Sequence, residues 1–337
     1  MPQKRKSTSS RKKKVVKKKK IELQNAPCVN NIKDLIEIGS TFKVYKNIDT
    51  TMLWNILPYL NELEKMIGMK KLKDTVFNQV IYYLQNFHVL NRNEEYLHTV
   101  ISGSPGTGKT TVAQIIGNLY KSLGILSKNG KFKIAHRDDF IAGYLGQTAI
   151  KTNKLLHSCL GGVLFIDEAY SLGPGQQDKD SFSKEALDTL TSFLSEHKND
   201  FCCIIAGYES DIEKCFFKVN KGLKRRFQWV HKIDDYNEDE LTDIFIKKVK
   251  DIYWQLSIEK KIVLKIIKDN KELFKFGGGD IENLISKCKI SHAKRVFSLD
   301  NIHKFILTEN DIKNAIKLIN ENTKKEKKNT TPYGMYT

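Results

Sequence analysis

No run in this chain of 337 residues approaches the ~20 consecutive apolar residues that a helix needs to cross a bilayer. The N-terminus also lacks the short apolar core of a secretory signal. Neither membrane insertion nor secretion is therefore expected. Cysteine is sparse. The six residues Cys28, Cys159, Cys202, Cys203, Cys215 and Cys288 form no C-x-x-C pair, which excludes a zinc framework or disulfide scaffold and suits thiols in a reducing compartment. Acidic residues are missing from positions 1–20, which hold eleven Lys and Arg and supply +11 of the net +18, leaving +7 for the other 317 residues. Such a tail cannot bury apolar area and is expected to be disordered. It reads either as a nuclear-localisation signal or nucleic-acid-binding arm, or as a solubilising tail without a specific partner. The expected compartment is the nucleus or cytoplasm.

The remainder has ordinary globular proportions, with 40% hydrophobic and 28% charged residues, and is long enough for two or three domains. One octapeptide stands out. Gly103-Ser104-Pro105-Gly106-Thr107-Gly108-Lys109-Thr110 spells G-x-x-x-x-G-K-T, the phosphate-binding loop. Its glycines let backbone N–H groups turn toward phosphates, Lys109 can reach the β- and γ-phosphates, and the Thr110 hydroxyl can ligate Mg²⁺. Leu97–Ser102 reads as a strand before it. Val112, Ile115, Ile116 and Leu119 follow at i, i+3, i+4, i+7, one face of a helix. A helix N-terminus favours an anion.

Short apolar runs at Val163–Ile166 and Phe201–Ala206 have the pattern of strands buried on both faces of a parallel sheet. With the intervening helical spacing they predict an α/β fold, a P-loop NTPase sheet with helices on both faces, over 59–232. Met52, Leu53, Ile56, Leu57, Leu60 and Leu63 suggest a helical face, but Pro58 should break or begin a helix there. Residues 21–58 are expected to form an N-terminal extension. After Asp234, Asn237-x-x-Glu240 has the form of a capping box. Helical stripes at 241–252, at Ile281, Leu284, Ile285, Cys288 and His292, and at Ile312, Ala315, Ile316 and Ile319 predict a small all-helical lid over 233–320. Residues 321–337 show no periodicity and are expected to be a flexible end.

A second motif supports the first. Val163-Leu164-Phe165-Ile166 ends in Asp167-Glu168, and ligand sites of parallel sheets lie at the carboxyl ends of strands. Asp167 is then placed to hold Mg²⁺, directly or through water, and Glu168 to polarise a water for attack on the γ-phosphate. A third element, Gly222-Leu223-Lys224-Arg225-Arg226-Phe227, supplies guanidinium groups that could stabilise phosphoryl charge; from spacing alone a surface basic turn is the simpler reading. Gly143-Tyr144-Leu145-Gly146 suits either a mobile loop with an exposed hydrophobic grip or a packed tyrosine at a turn.

Together, Ile67-Gly68-Met69, Gly103–Thr111, Gly143–Ala149, Gly162–Tyr170, Ala206-Gly207-Tyr208 and Asn220–Phe227 resemble an AAA+ ATPase, more narrowly the CbbX/CfxQ/SpoVK-like group. The resemblance covers roughly residues 63–300. It implies ATP and Mg²⁺ as ligands, bound by Gly103 through Thr111 with Thr110 and Asp167 at the metal, and catalysis by Lys109 and Glu168. Arg226 would be an arginine finger acting on ATP held by the adjacent subunit of a homo-oligomer, a hexamer being favoured. Tyr144 and Leu145 would grip a protein substrate in a central pore. Two positions depart from the wider pattern: Tyr208 stands at the usually polar sensor-1 position, and Gly279 best matches the sensor-2 arginine.

Three functions compete. The first is an ATP-driven ring that remodels a protein. The second is a nucleic-acid-associated motor or loader using residues 1–20, weakened because a strand-tracking channel would need basic charge in the core. The third is a nucleotide-gated scaffold with weak turnover.

Overall fold

The computed structural model describes residues 24–90, 95–144, 146–173 and 180–329; the basic tail, Leu145 and positions 330–337 lie outside them. Five strands, β1 (His98–Ser102), β2 (Phe132–Ala135), β3 (Val163–Ile166), β4 (Cys202–Gly207) and β5 (Phe227–Lys232), form one sheet in the order β2-β3-β4-β1-β5. Every neighbouring pair is parallel. β3, β4 and β1 are buried along their whole length, because helices cover both faces. Alternate residues point to opposite sides. Val163 and Phe165 with Cys202, Ile204 and Ala206 join one core, and Leu164, Ile166, Cys203 and Ile205 join another.

The first core holds the helix after the phosphate loop, Lys109–Ser122, through Val112, Ile115, Ile116 and Leu119. It also holds three N-terminal helices, Ile32–Ser40, Thr50–Glu64 and Lys70–Leu84. The helix 50–64 runs straight through Pro58, where the sequence predicted a break. Pro58 lies on its exposed side. Leu53, Ile56, Leu60 and Leu63 on the other side are fully buried, and that burial outweighs the ~3 kcal/mol cost of an internal proline. The second core packs β3 and β4 against helices Thr148–His157 and Ser181–Glu196.

Beyond β5 the chain forms a lid of helices Glu238–Asp251, Lys260–Asp269, Gly278–Val296 and Glu309–Asn329 around their own core. The capping box is present: Asn237 Oδ1 accepts from Glu240 N at 2.9 Å and Glu240 Oε2 from Asn237 N at 2.9 Å. Two departures from the expected lid and tail are small. Gln255–Leu256 pairs in parallel with Ile306–Leu307, and the last helix continues to Asn329 where a flexible end was expected. Lys and Glu are good helix formers and extend a helix without an apolar stripe.

Two histidines lie in the paired strands β1 and β5. His98 and His231 are fully buried, and burial lowers the pKa of each to about 4. His98 Nδ1 accepts from Cys203 N at 3.2 Å and Nε2 faces Leu194 O at 3.2 Å, so Nε2 carries the proton. Neither ring nitrogen of His231 has a hydrogen-bond partner among the described residues. Both are neutral in the native state, while the unfolded chain takes up protons below pH ~6.5. Their contribution is therefore complete above about pH 6.5 and is lost as pH falls toward 4, by about 3 kcal/mol for each group. Urea midpoints measured from pH 7 to 4.5 should fall, and His231→Leu should flatten the fall by about half. An identical pH slope in His231→Leu would assign the acid sensitivity elsewhere.

Candidate active site

The carboxyl ends of β1, β3 and β4 open into a cleft of about 730 Å³ between the sheet and the lid, a volume suited to a nucleotide. Gly103 leaves β1 with its N–H on Gly207 O at 3.2 Å, so the loop starts pinned to the end of β4. Gly106 and Gly108 have φ of 68° and 87°, where a side chain would be strained. A Cβ on Gly106 would also lie 2.5 Å from Phe276 O and 2.7 Å from Gly279 N. The loop is further braced by Thr107 Oγ1 donating to Ser104 O at 2.7 Å and by Tyr236 OH donating to Thr107 O at 3.0 Å. Lys109 Nζ donates to Gly103 O at 2.9 Å and Ser104 O at 2.8 Å. Its ammonium lies 5.9 Å from the centroid of Tyr208. Burial lowers the Lys109 pKa, and the Asp167 and Glu168 carboxylates counter that shift.

Pro105, Thr110 and Thr111 line the same cleft. Asp167 and Glu168 enter it directly after β3. Asp167 Oδ1 accepts from Glu168 N at 3.0 Å, and Glu168 has φ 49°, a left-handed conformation that costs roughly 1–2 kcal/mol for a residue with a Cβ. Burial and the Glu168 carboxylate beside it push the Tyr170 pKa up to about 12, so this phenol, which also lines the cleft, stays protonated at neutral pH.

Tyr208 and Gly279 both reach the cleft. At Gly279 no side chain approaches the loop; the lid instead contacts it through the backbone, with Gly278 N on Gly106 O at 3.2 Å. Arg226 and Tyr144 are not among the lining residues. Arg226 is half-buried, with Nε on Ser195 Oγ at 2.6 Å and NH1 on Gly222 O at 2.6 Å, and Arg225 is exposed. Both arginines directly precede β5, so one more strand follows them before the chain enters the lid. Tyr144 is 75% exposed, which removes the packed-tyrosine alternative. Sequence reasoning missed the apolar walls. Met66 and Ile67 on one side and Ile244 of the first lid helix on the other leave a slot fit for a flat heteroaromatic ring. Ile244 had been read only as part of a core stripe, and Tyr236 carried no signal.

A phosphate loop, paired acids two strands away across β4 and a lid closing over both define a P-loop ATPase. The family model "ATPase family associated with various cellular activities (AAA)" matches residues 99–232. The chain is 39% identical over 277 residues to a cfxQ-like protein of Acanthamoeba polyphaga mimivirus, covering 80% of this chain and 67% of that one. It is 36% identical over 258 residues to stage V sporulation protein K of Bacillus subtilis (73% and 79% covered). With the chloroplastic ribulose bisphosphate carboxylase/oxygenase activase of Cyanidioschyzon merolae it shares 32% over 258 residues (72% and 80%). Its fold matches the FIGL-1 AAA domain in complex with ADP at TM-score 0.55 with 15% identity, covering 78% of this chain and 89% of that one. Thermotoga maritima RuvB matches at 0.53 with 18% identity (77% and 72%). The chain belongs to the AAA+ ATPases, within the CbbX/CfxQ/SpoVK group, and is an ATP-hydrolysing enzyme. No described helix is long and apolar enough to cross a membrane.

Proposed function

We propose that this ATPase works as a ring, six subunits being the favoured number, that couples hydrolysis to threading or remodelling a protein chain. One observation carries the reading: Tyr144 stands 75% exposed, on a loop whose Gly143 and Gly146 have nothing within 4 Å of an added Cβ. The loop follows β2 and the helical turn after it, at the carboxyl end of the sheet, where the cleft also opens. An exposed aromatic on an unobstructed turn suits transient grip on a polypeptide. The Cyanidioschyzon merolae relative, named an activase of another enzyme, supports a remodelling role.

In the cleft, Lys109 would exchange its two carbonyl partners for phosphate oxygens, with Thr111 and the loop amides holding the remainder. Thr110 and Asp167, one hydroxyl and one carboxylate, are the kind of sparse protein donor set that Mg²⁺ accepts when phosphates and water complete its shell; bound there it would neutralise phosphate charge. Glu168 would orient and deprotonate the attacking water, and Arg226 of an adjacent subunit would meet the developing negative charge.

The test uses Tyr144→Ala. Its ATPase rate should stay within about twofold of wild type and its thermal midpoint nearly unchanged, since exposed substitutions away from special contacts are close to neutral. Remodelling of a protein captured by an ATP-loaded Glu168→Gln ring should be lost. Retained remodelling in Tyr144→Ala would remove the grip. Recovery of nucleic acid in place of protein, released by raised salt, would favour the nucleic-acid motor.

A further inference from the structure

We infer that Arg137 is the positioning residue that links the hydrolytic acid to the Tyr144 loop. The inference rests on the remodelling reading for the loop's role. Arg137 touches no part of the cleft; it begins the helical turn Arg137–Phe140 between β2 and the loop. Its guanidinium reaches across to the chain that leaves β3. NH1 donates to Ser171 O, to Ser183 Oγ at 3.0 Å and to Gly173 O at 3.4 Å, and NH2 donates to Asp180 Oδ2.

These bonds complete a short continuous path. Glu168 O accepts from Ser171 N at 2.8 Å, so the backbone of the acid and the carbonyl held by Arg137 belong to one tight turn, Ala169–Leu172. On the far side Arg137 O accepts from Ile141 N at 3.1 Å, and Ala142 N is held by Thr148 Oγ1 at 3.2 Å, two residues before Tyr144. The path starts at a residue with φ 49°, a conformation able to relax by a backbone flip.

Both ends of the clamp are firm. Asp180 Oδ1 caps the helix Ser181–Glu196 by accepting from Phe182 N at 3.1 Å and Ser183 N at 3.2 Å. Although burial opposes it, hydrogen bonds from Ser183 and Arg137 hold the Asp180 carboxyl below its ordinary range. Gly173 is packed so closely that a Cβ would come 2.1 Å from Cys215 O. A movement of the 168–171 turn is therefore carried toward the helical turn Arg137–Phe140 by the guanidinium, whose planar fork bonds the Ser171 carbonyl and the Asp180 carboxylate together. Lys151 also ties the loop base, with Nζ on Ile141 O at 2.9 Å and on Asp138 O, but none of its bonds reaches the turn after β3.

The experiment measures amide exchange of Ile141 and Ala142 in full-length protein with ADP and with the non-hydrolysable analogue AMP-PNP. Wild type should show about a fivefold or larger difference between the two nucleotides, as expected when a local opening equilibrium is biased by the ligand. Arg137→Gln should shrink it below about twofold with AMP-PNP affinity essentially unchanged. Arg137→Lys, which keeps the charge without the fork, should behave alike and replaces Arg137→Gln should that variant fail to fold. Lys151→Ala should raise exchange in both states and preserve the difference. A difference that survives both Arg137 variants, or is absent from wild type, overturns the inference. Exchange needs no client protein, so failure of the threading reading would leave this result untouched.

Discussion

Glu168→Gln is expected to lower ATP turnover by about 10²- to 10⁴-fold while leaving nucleotide affinity within about threefold. The side chain is exposed in the cleft beside Asp167, and glutamine keeps its length and shape. The substitution therefore removes one capacity, that of accepting a proton from water, and leaves the phosphate loop and Thr110 untouched. No other acid is placed as well. Asp167 already accepts Glu168 N at 3.0 Å and is the group expected to face the metal. Glu62, Asp251 and Glu282 line the cleft from the N-terminal and lid sides, away from the end of β3, and Glu282 is paired with Lys248 at 2.5 Å. Tyr170 stays a neutral phenol and cannot act as the base near neutral pH. Single-turnover hydrolysis alongside equilibrium nucleotide binding separates the effects. Turnover within about threefold of wild type would show that another group activates the water.

How much of this was legible in the sequence depended on burial. β3 and β4 were readable because both faces are covered, so nearly every residue is apolar. β2 and β5 were not, because they are the sheet's edges. Lys133 and Ile134 of β2 and Gln228, Val230 and Lys232 of β5 are exposed, which breaks up the apolar run. That hid β5 behind Arg225 and Arg226. Pro58 misled for a related reason: a local rule predicted a break, and four buried side chains on the opposite face overrode it. The phosphate loop and paired acids were legible since their chemistry demands fixed residue types in fixed order. The apolar walls were not, because Met66 and Ile67 come from the turn before helix Lys70–Leu84 and Ile244 from the first lid helix, and all three resemble core residues until the lid brings them together. Arg137 was unreadable for the same reason: its partners lie 34 to 46 positions away.

The lid at Gly279 shows how a missing side chain changes a mechanism. With no arginine there, the lid reports on the loop through Gly278 N to Gly106 O, a contact that only backbone can make at such close approach. Lid movement must then disturb the phosphate loop itself. This favours a lid that transmits nucleotide state mechanically and leaves the stabilising cation to come from elsewhere. Tyr208 is in a similar position: it offers Lys109 an aromatic face at 5.9 Å where a polar side chain is more usual in the wider family.

Arg226→Ala is accordingly expected to cost about 10³-fold in turnover, the scale of an arginine that meets phosphoryl charge, with ATP affinity changed by no more than about threefold. In its own subunit Arg226 uses Nε and NH1 on Ser195 and Gly222, and NH2 makes no hydrogen bond among the described residues. The guanidinium is thus oriented from behind with donors left for a neighbour, and it lies outside its own cleft. Arg225→Ala removes an exposed arginine with no such brace and should cost less than about threefold. The decisive measurement mixes two inactive proteins, Arg226→Ala and Glu168→Gln. In a mixed ring an Arg226→Ala subunit keeps its Glu168 and can receive Arg226 from a Glu168→Gln neighbour, so activity should rise well above the sum of the separate proteins. Arg226→Lys retains one ammonium near Ser195 and guards against a folding defect; it should fold as wild type, fail alone, and be rescued in the same mixture. Mixtures no more active than their components would mean that each subunit completes its own site, and the shared-site ring would fall with that result.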